Sequence, residues 1–210
     1  MKFLFALVFF TTIQATSFAD EQSDKIPPEI RSFAEEGTII YDWKSADLNG
    51  DGLDDYLVVL EKQKKKPEDP YITDKERPLL IIIRQKDKTL KLVKRNDLAI
   101  ACSTCGGRVG DDGFTRITAS KGKLSIRNHI MGTAYQTSDT YNFGYSRRDN
   151  TWQLVSVVDS QHGLYEDESD SIKNTFTPPH SFGKIDFSDF DPSDYWHKGE
   201  GFMMRKRKVD

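Results

Sequence analysis

The chain has 210 residues, of which 30 are Lys or Arg and 33 are Asp or Glu, so its formal net charge is −3 at pH 7. A balance this mild argues against a nucleic-acid-binding protein and against a polyacidic chain, and its main consequence is solubility. The length that remains after a short N-terminal leader fits one domain of the usual ~100 to 200 residues.

Residues 1–19 have the pattern of a secretory signal peptide. Lys2 is followed by an apolar run, and small residues at Ser17 and Ala19 predict cleavage before Asp20. We therefore expect a periplasmic or secreted protein. No later segment approaches the ~20 apolar residues that a membrane-spanning helix needs, so no membrane span is expected after signal removal.

The mature chain is predicted to be one β-rich domain over residues 20–195 with a basic tail over 196–210. Proline at the start and glycine at the end predict one short N-terminal helix within 27–37. Segments rich in β-branched and aromatic residues then alternate with turn-forming clusters, which is typical of strands in an antiparallel meander. The predicted strands are Thr38–Trp43, Tyr56–Glu61, Leu79–Arg84, Thr89–Lys94, Phe114–Ala119, Lys123–Ile130, Thr140–Ser146 and Trp152–Val158.

The apolar pattern of individual segments predicts their place in the sheet. Leu79–Ile83 is apolar on both faces and is expected to be a central strand, whereas Lys123–Arg127 alternates and should have one face in water. Gly183–Asp191 is predicted to be a last edge strand, with Phe187 and Phe190 covering the core.

The segment between the first two predicted strands places oxygen donors at alternate positions around a glycine turn. Calcium prefers oxygen ligands, and a curling chain supplies them most easily from every second residue. Val58 occupies the position where an EF-hand needs a bidentate Glu, so the loop leads into a strand instead. The alternative is a metal-free turn, because Asn-Gly and Asp-Gly are common turn formers. The predicted calcium ligands are Asp47, Asn49, Asp51, Leu53 through its carbonyl, and Asp55.

This Asp-x-Asn-x-Asp-Gly-x-x-Asp pattern before a strand resembles the calcium loop of FG-GAP and VCBS-type repeats. The resemblance covers about a dozen residues and implies a structural calcium ion with the ligands named above. The loop is not repeated elsewhere in the chain, which argues against a propeller of equivalent blades.

Both cysteines of the chain lie in the segment Cys102-Ser103-Thr104-Cys105-Gly106-Gly107. In an oxidising compartment Cys102 and Cys105 are expected to form a local disulfide. A thioredoxin-type redox site is a second possibility, but it needs a helix after the first cysteine, and the two glycines argue against one. Zinc is a third possibility, and it would need distant histidines to complete the ligand set.

A wider resemblance depends on the order of four segments, namely the loop over 47–55, the Leu79–Ile83 strand, the Cys-x-x-Cys-Gly-Gly motif and Gly110-Asp111. In this order they resemble a group of uncharacterised exported bacterial proteins. The resemblance spans most of the mature chain. It implies no activity, because none is established for that group.

No arrangement of residues typical of a catalytic site is found in the sequence. The four histidines are scattered without the spacing of a zinc hydrolase, and no nucleophile elbow or phosphate-binding loop is present. The acidic segments 166–170 and 186–194 could supply two carboxylates for glycoside hydrolysis, but solvated loops are the expected explanation.

The sequence therefore predicts a non-enzymatic exported calcium-binding domain that binds a cell-envelope or toxin protein. A periplasmic inhibitor or immunity protein is one concrete form of this prediction. The alternative is an envelope enzyme, either a thiol-disulfide oxidoreductase at Cys102 and Cys105 or a carbohydrate-active protein. Nucleic acid is not expected as a partner.

Overall fold

The computed structural model describes residues 26–63, 77–107, 111–164, 171–198 and 201–204, and in it the chain is mainly β, as the sequence predicts. All strand pairs are antiparallel. The first sheet contains β1 (Thr38–Ala46), β2 (Asp55–Lys62), β3 (Leu79–Arg84) and β4 (Leu90–Asn96) in that order. The second sheet contains β5 (Phe114–Ser120), β6 (Lys123–Met131), β7 (Tyr135–Ser146), β8 (Thr151–Gly163) and β9 (Ile172–Phe176). A separate hairpin contains β10 (Tyr195–Lys198) and β11 (Gly201–Met204).

The main hydrophobic core joins the two sheets. Leu57 and Ile81 of the first sheet belong to the same buried cluster as Ile126, Phe143 and Leu154 of the second. Alternate residues of a strand point to opposite faces, so one face of each sheet supplies this core. The two sheets therefore form one packed unit.

A second apolar cluster lies on the opposite face of the first sheet. Val58, Leu80 and Ile82 are buried there beneath Ile30, which lies in a 3-10 helix over Pro28–Phe33. Strand β3 is thus covered on both faces and lies between β2 and β4, which confirms the predicted central strand.

The prediction of an edge strand over 183–191 is wrong. This segment makes one isolated bridge, between Gln153 and Asp186, and then forms a 3-10 turn over Phe187–Asp189. The Asp186 carboxylate accepts a hydrogen bond from the Ser188 N–H at 2.9 Å, a local cap that favours a turn over a ladder. Phe187 and Phe190 cover the core as expected.

Part of the predicted basic tail over 196–210 forms strands, at residues 196–198 and 201–204. Strands β10 and β11 pair so that Tyr195 lies opposite Met204. Residues 205–210 and the predicted signal peptide, residues 1–19, lie outside the described residues. None of the helices in the described ranges is long and apolar enough to cross a bilayer.

A buried arginine before β3 connects four segments of the chain. Arg77 is only 2% exposed, and its guanidinium donates to both carboxylate oxygens of Asp112, at 2.6 and 2.8 Å. It also donates to Glu61 at 2.8 Å and to the carbonyl of Ala101 at 3.2 Å, and it stacks over the Tyr41 ring at 4.6 Å. Because a fork of donors matches a carboxylate, this geometry fixes the segment before β5 to the first sheet.

We expect the substitution Arg77→Met to lower the free energy of unfolding by about 3–5 kcal/mol, because it leaves the carboxylates of Asp112 and Glu61 without their buried cation. Arg95→Met is the matched control, since Arg95 is 37% exposed and pairs with Glu35 and Asp97 near the surface. The control should lose no more than about 1 kcal/mol. Urea denaturation measures both, and equal losses would contradict the role of Arg77.

The stability of the fold should also depend on the ionisation of Asp112. Burial acts to raise the pKa of Asp112, but hydrogen bonds from Arg77 and from the Phe114 N–H outweigh it, so the pKa lies below its usual value. The ionised carboxylate therefore stabilises the fold above the unfolded pKa of about 3.9, and this stability is lost as the pH falls through the lower folded pKa.

We expect urea midpoints at pH values of about 6, 4 and 3 to fall more steeply for the wild type than for Asp112→Asn. The variant is less stable at neutral pH but has no charge to lose at this position. Parallel pH profiles for the two proteins would contradict the contribution of Asp112.

Candidate functional site

The acidic loop, residues 47–55, connects β1 to β2 and turns sharply at two glycines. Gly50 has φ of +77° and Gly52 has φ of +91°, a region that side chains with a Cβ rarely adopt. The glycines of the sequence motif are therefore required by the backbone, whether or not the loop binds a metal ion.

Three of the predicted calcium ligands turn their oxygen atoms towards backbone amides of the same loop. The Asp51 N–H donates to Asp47 Oδ1 and to Asn49 Oδ1, both at 3.0 Å, and the Gly52 N–H donates to Asp47 Oδ2 at 3.1 Å. The Leu53 N–H donates to Asp51 Oδ1 at 2.9 Å. Burial acts to raise the pKa of Asp47, but the backbone amides of Gly52 and Gly50 together with the Lys121 ammonium outweigh it, so the pKa is lowered and the ionised form is favoured.

The fourth predicted side-chain ligand, Asp55, has a different environment. It is fully buried, and its two oxygens accept from the N–H of Leu48 at 2.8 Å and of Arg84 at 2.9 Å. Burial raises the pKa of Asp55, and these two hydrogen bonds only partly offset the effect. Asp55 thus closes the loop and ties it to the end of β3.

The donor chemistry of the loop fits calcium in part. Asp47, Asn49 and Asp51 bring oxygen ligands to one turn, whereas Asp55 already serves two backbone amides. Lys121 lies 3.4 Å from Asp47 Oδ2 and supplies a positive charge there. Across the described ranges, no three His, Cys, Asp or Glu side chains are grouped closely enough to hold a metal ion. Calcium binding at this loop stays a prediction.

The acidic loop is also a junction between the two sheets. Leu48 is fully buried in the shared core, and its carbonyl accepts from the Trp152 indole N–H at 3.0 Å. The Asp47 carbonyl accepts from the Gly122 N–H, in the turn between β5 and β6, at 2.8 Å. Order in the loop is therefore coupled to the packing of the whole domain.

The cysteine turn, residues 102–105, fits the predicted local disulfide. The two sulfur atoms lie 2.04 Å apart, which is the bonding distance, and the Cys105 N–H donates to the Cys102 carbonyl at 3.1 Å. Cys102 is buried and Cys105 is exposed. A bridge that closes so small a loop mainly fixes a local turn.

The two glycines after the cysteines are explained by close backbone contacts. A Cβ on Gly106 would lie 2.6 Å from the Asp111 carbonyl oxygen, and one on Gly107 would lie 2.1 Å from the Met131 carbonyl oxygen. Gly107 forms a bridge to Met131 instead of starting a helix. The helix N-terminus that activates a thioredoxin-type cysteine does not follow this turn. The zinc alternative gains no support, since the described His and Asp or Glu side chains form no metal-binding group with these cysteines.

A cleft of about 750 Å³ lies beside the cysteine turn, at one end of the second sheet. Strands β7 and β8 have 12 and 13 residues, whereas those of the first sheet have six to nine. The second sheet therefore continues past the shared core. On the inward face of β6, Ile126 and Asn128 are buried, whereas Ile130 is 55% exposed. Leu98, 54% exposed, also lines the cleft.

Asn128 fixes the wall of the cleft that leads into the cysteine turn. Its side-chain amide donates to the Ala99 carbonyl at 3.0 Å, and its Oδ1 accepts from the Ala101 N–H at 3.3 Å. With Ala101 also bound by Arg77, this wall has contacts to both sheets. The cleft is therefore part of the rigid frame of the domain.

The floor of the cleft is acidic. Asp139 on β7 lies directly opposite Asp159 on β8, and Asp191 comes from the turn before β10. Tyr141 lies below them, and its hydroxyl donates to Asp139 Oδ2 at 3.2 Å. Burial raises the pKa of Tyr141 well above its usual value, and the negative charges of Asp139, Asp159 and Asp191 raise it further.

Local sequence patterns do not single out these floor residues, apart from Asp191, which belongs to an acidic segment. A signal was present in the alternation of β7, where Asp139 falls on the same face as core residues Tyr141 and Phe143. A charged residue in the inward register of a strand indicates that the sheet extends beyond its apolar cover.

The calcium prediction can be tested by thermal unfolding of the mature protein with calcium and with EDTA. If calcium at about 100 times its Kd binds only the folded state, it adds about 2.7 kcal/mol, or roughly 5–10 °C in Tm. Asp47→Ala and Asp51→Ala should abolish this calcium-dependent rise. Asp87→Ala is the matched control, because Asp87 also accepts a backbone N–H in an exposed turn and should keep the rise. Equal Tm values in calcium and EDTA would reduce the loop to a metal-free turn.

Comparison of the chain with protein-family models, curated proteins and solved structures found no match. The likeness of the acidic loop to FG-GAP and VCBS calcium loops therefore depends on its residues alone. The acidic loop at the sheet junction and the acidic cleft beside the disulfide are the two features of the described structure that suggest a function.

Proposed function

We propose that the protein is a non-enzymatic exported domain that binds a cell-envelope protein through the cleft. A periplasmic inhibitor or immunity protein, which blocks a toxin or an envelope hydrolase, is the concrete form of this proposal. Such a role requires a complementary surface and no catalytic group.

The observation that carries the proposal is the combination of an apolar rim with a polar floor. Leu98 and Ile130 are large apolar side chains that are each more than half exposed, and both line the same cleft. Exposed apolar residues around a concave surface are typical of binding sites, and burying them against a partner is favourable. Asp139 and Asp159 would then give orientation and specificity.

The rigidity of the frame supports binding over catalysis. Disulfide Cys102–Cys105, the Asn128 amide and the Arg77 guanidinium hold the cleft wall before any partner arrives. A surface that is already in its bound conformation loses less entropy when it binds.

Calcium has a supporting role in this proposal. An ion held by Asp47, Asn49, Asp51 and the Leu53 carbonyl, with Asp55 behind them, would neutralise the loop that joins the two sheets. The ion would be structural, and it would add stability to the domain that presents the cleft.

The test is capture of a partner by the tagged mature protein after cross-linking in its own cell envelope, followed by purification of that partner and measurement of Kd. The variant Leu98→Ser with Ile130→Ser should weaken binding at least about tenfold, since exposed apolar anchors are removed. Val155→Ser is the matched control, because Val155 is 44% exposed but points away from the cleft on β8.

Two results would contradict the proposal. One is that no partner is recovered from the envelope. The other is that the captured protein binds the rim variant and the Val155→Ser control with equal affinity, which would place its contact elsewhere on the domain.

A further inference from the structure

The outer face of the second sheet, which points away from the shared core, carries basic side chains and no acidic ones. Residues that alternate with the buried Ile117, Ile126 and Phe143 belong to this face. Among the described residues of β5–β9 on this face there is no Asp or Glu. Its Lys and Arg residues are Arg116, Lys123, Arg127 and Lys173. This face is therefore positively charged, although the formal net charge of the chain is −3.

Two of these cations lie against each other. Arg116 on β5 is directly opposite Arg127 on β6 in the strand register, and like charges in that position are unfavourable. The Arg127 guanidinium donates to the Ser138 hydroxyl, a neutral group, at 3.1 Å. Within the described part of the chain, neither arginine pairs with a carboxylate. An anion in contact with both arginines would offset their repulsion.

The arginines of the first sheet have a different environment. Arg77, Arg84 and Arg95 each form an ion pair with a carboxylate of the same domain. On the outer face of the second sheet, Lys123 and Lys173 are exposed, and neither forms an ion pair with any residue that the structure describes. The cations of the first sheet thus stabilise the fold, whereas those of the outer face are available to a ligand.

Between the cations, the outer face carries hydroxyl and amide side chains. One row of them crosses four adjacent strands and consists of Thr118, Ser125, Asn142 and Ser156. The hydroxyls of Thr118 and Ser125 lie 2.6 Å apart, and the Asn142 amide donates to the Ser156 hydroxyl at 3.0 Å. A hydroxyl or an amide that makes one such bond can still donate or accept another. The row therefore offers hydrogen bonds to a ligand that carries hydroxyl groups.

A shallow cavity of about 340 Å³ lies at this row. The Lys123 side chain lines it together with the row, and Ser120 lies at its edge. Gly144, opposite Lys123 in the register, leaves its part of the face without a side chain. A Cβ at Gly144 would lie 3.2 Å from Cγ1 of Val155, so the face is closely packed there. An acidic group in this cavity would meet an ammonium group and several hydrogen-bond donors together.

The extent of the basic face favours a polymeric ligand. Arg116 lies on β5 and Lys173 on β9, which are four strand spacings of about 4.8 Å apart, or roughly 19 Å. A small anion cannot contact both. The described outward residues of these strands include no Phe, Tyr, Trp, Leu or Ile. The face thus lacks the stacking rings typical of single-stranded nucleic-acid sites and the large apolar side chains that insert into membranes.

We propose that the outer face of the second sheet binds an anionic polysaccharide. The acidic groups of the polymer contact the Lys and Arg side chains, and its sugar hydroxyls bind the row that begins at Thr118. This inference does not rest on the proposed function, because the cleft is lined by inward residues of the same sheet, such as Asp139 and Tyr141. The two sites can be occupied together, so the polysaccharide would hold the domain in place while the cleft binds a protein.

Binding of the mature chain to fluorescently labelled polysaccharides tests the proposal. The probes are polygalacturonate, which carries carboxylates, dextran sulfate, which carries sulfates, and neutral dextran. We expect binding to an anionic probe and none to dextran, and the tighter of the two anionic probes identifies the preferred acidic group. The affinity should fall between about 0.1 and 1 M salt, because exposed charges contribute to it. Absence of binding to both anionic probes at low salt would overturn the proposal.

A pair of charge-matched variants locates the binding face. The first replaces three exposed cations of the outer face and is Arg116→Gln with Lys123→Gln and Lys173→Gln, which should weaken binding at least about tenfold. The control removes the same number of charges from exposed positions near the turn between β3 and β4 and is Lys86→Gln with Lys88→Gln and Lys91→Gln. The control should keep the affinity of the wild type. An equal loss in both variants would show an effect of net charge alone and would overturn the proposal.

Two other anionic probes test the class of ligand. They are a single-stranded oligothymidylate and vesicles of phosphatidylglycerol. We expect both to bind more weakly than the better polysaccharide. Tighter binding of either one, lost in the outer-face variant, would assign the face to nucleic acid or to a membrane surface and would overturn the polysaccharide.

A measurement on the wild-type protein does not depend on the folding of any variant. An N-hydroxysuccinimide ester acetylates exposed lysine amines, and mass spectrometry gives the extent at each position. The bound polysaccharide should slow acetylation of Lys123 and Lys173 but not of Lys86 and Lys91. Equal protection of all four would place the ligand elsewhere and contradict the proposal. None of these readouts uses an envelope protein, so failure of partner capture at the cleft is a separate result.

Discussion

The arrangement of the molecule depends on one buried cation. Arg77 joins Glu61 of the first sheet to Asp112, which stands immediately before the second, and its third contact is the carbonyl of Ala101 in the cleft wall. Desolvating a guanidinium is costly, and the cost is offset here because a bidentate carboxylate, a second carboxylate and an aromatic ring surround it. Apolar packing holds the sheets face to face but does not fix the path of the chain segment that connects them. The ion pairs of Arg77 fix the position of that segment at Asp112.

The cleft follows from a mismatch between the two sheets. The shared core is filled where β6, β7 and β8 lie against the first sheet, but β7 and β8 extend further. Beyond Tyr141, an apolar side chain on the inward face of β7 would be exposed to solvent, and the sequence has Asp139 at this position. The same register that makes Phe143 a core residue therefore makes Asp139 a cleft residue.

Much of this fold could be predicted from local patterns, and the parts that could not depend on contacts distant in sequence. The strand Leu79–Arg84 has the predicted bounds because its run of apolar residues can only be satisfied by cover on both faces. The segment 183–191 places Ile185 and Phe187 at alternate positions, as a strand would, yet Asp186 caps a turn and the Asn96 side-chain amide donates to the carbonyls of Phe187 and Phe190, at 2.6 and 2.7 Å. Because Asn96 is distant in sequence from this segment, the local pattern does not indicate these hydrogen bonds. In the same way, the loop motif predicted Asp55 as a ligand but could not show that the Arg84 N–H would donate to one of its oxygens.

The two acidic features of the molecule differ in how the fold positions their carboxylates. In the acidic loop, Asp47 and Asp51 accept backbone N–H groups, whose partial positive charges stabilise the carboxylates, and the Lys121 ammonium lies 3.4 Å from Asp47. A cation there adds to an order that already exists. In the cleft, Asp139 and Asp159 are placed opposite each other by the strand register, and the Tyr141 hydroxyl donates to Asp139. This difference underlies our proposal that the loop stabilises the domain and that the cleft binds a partner.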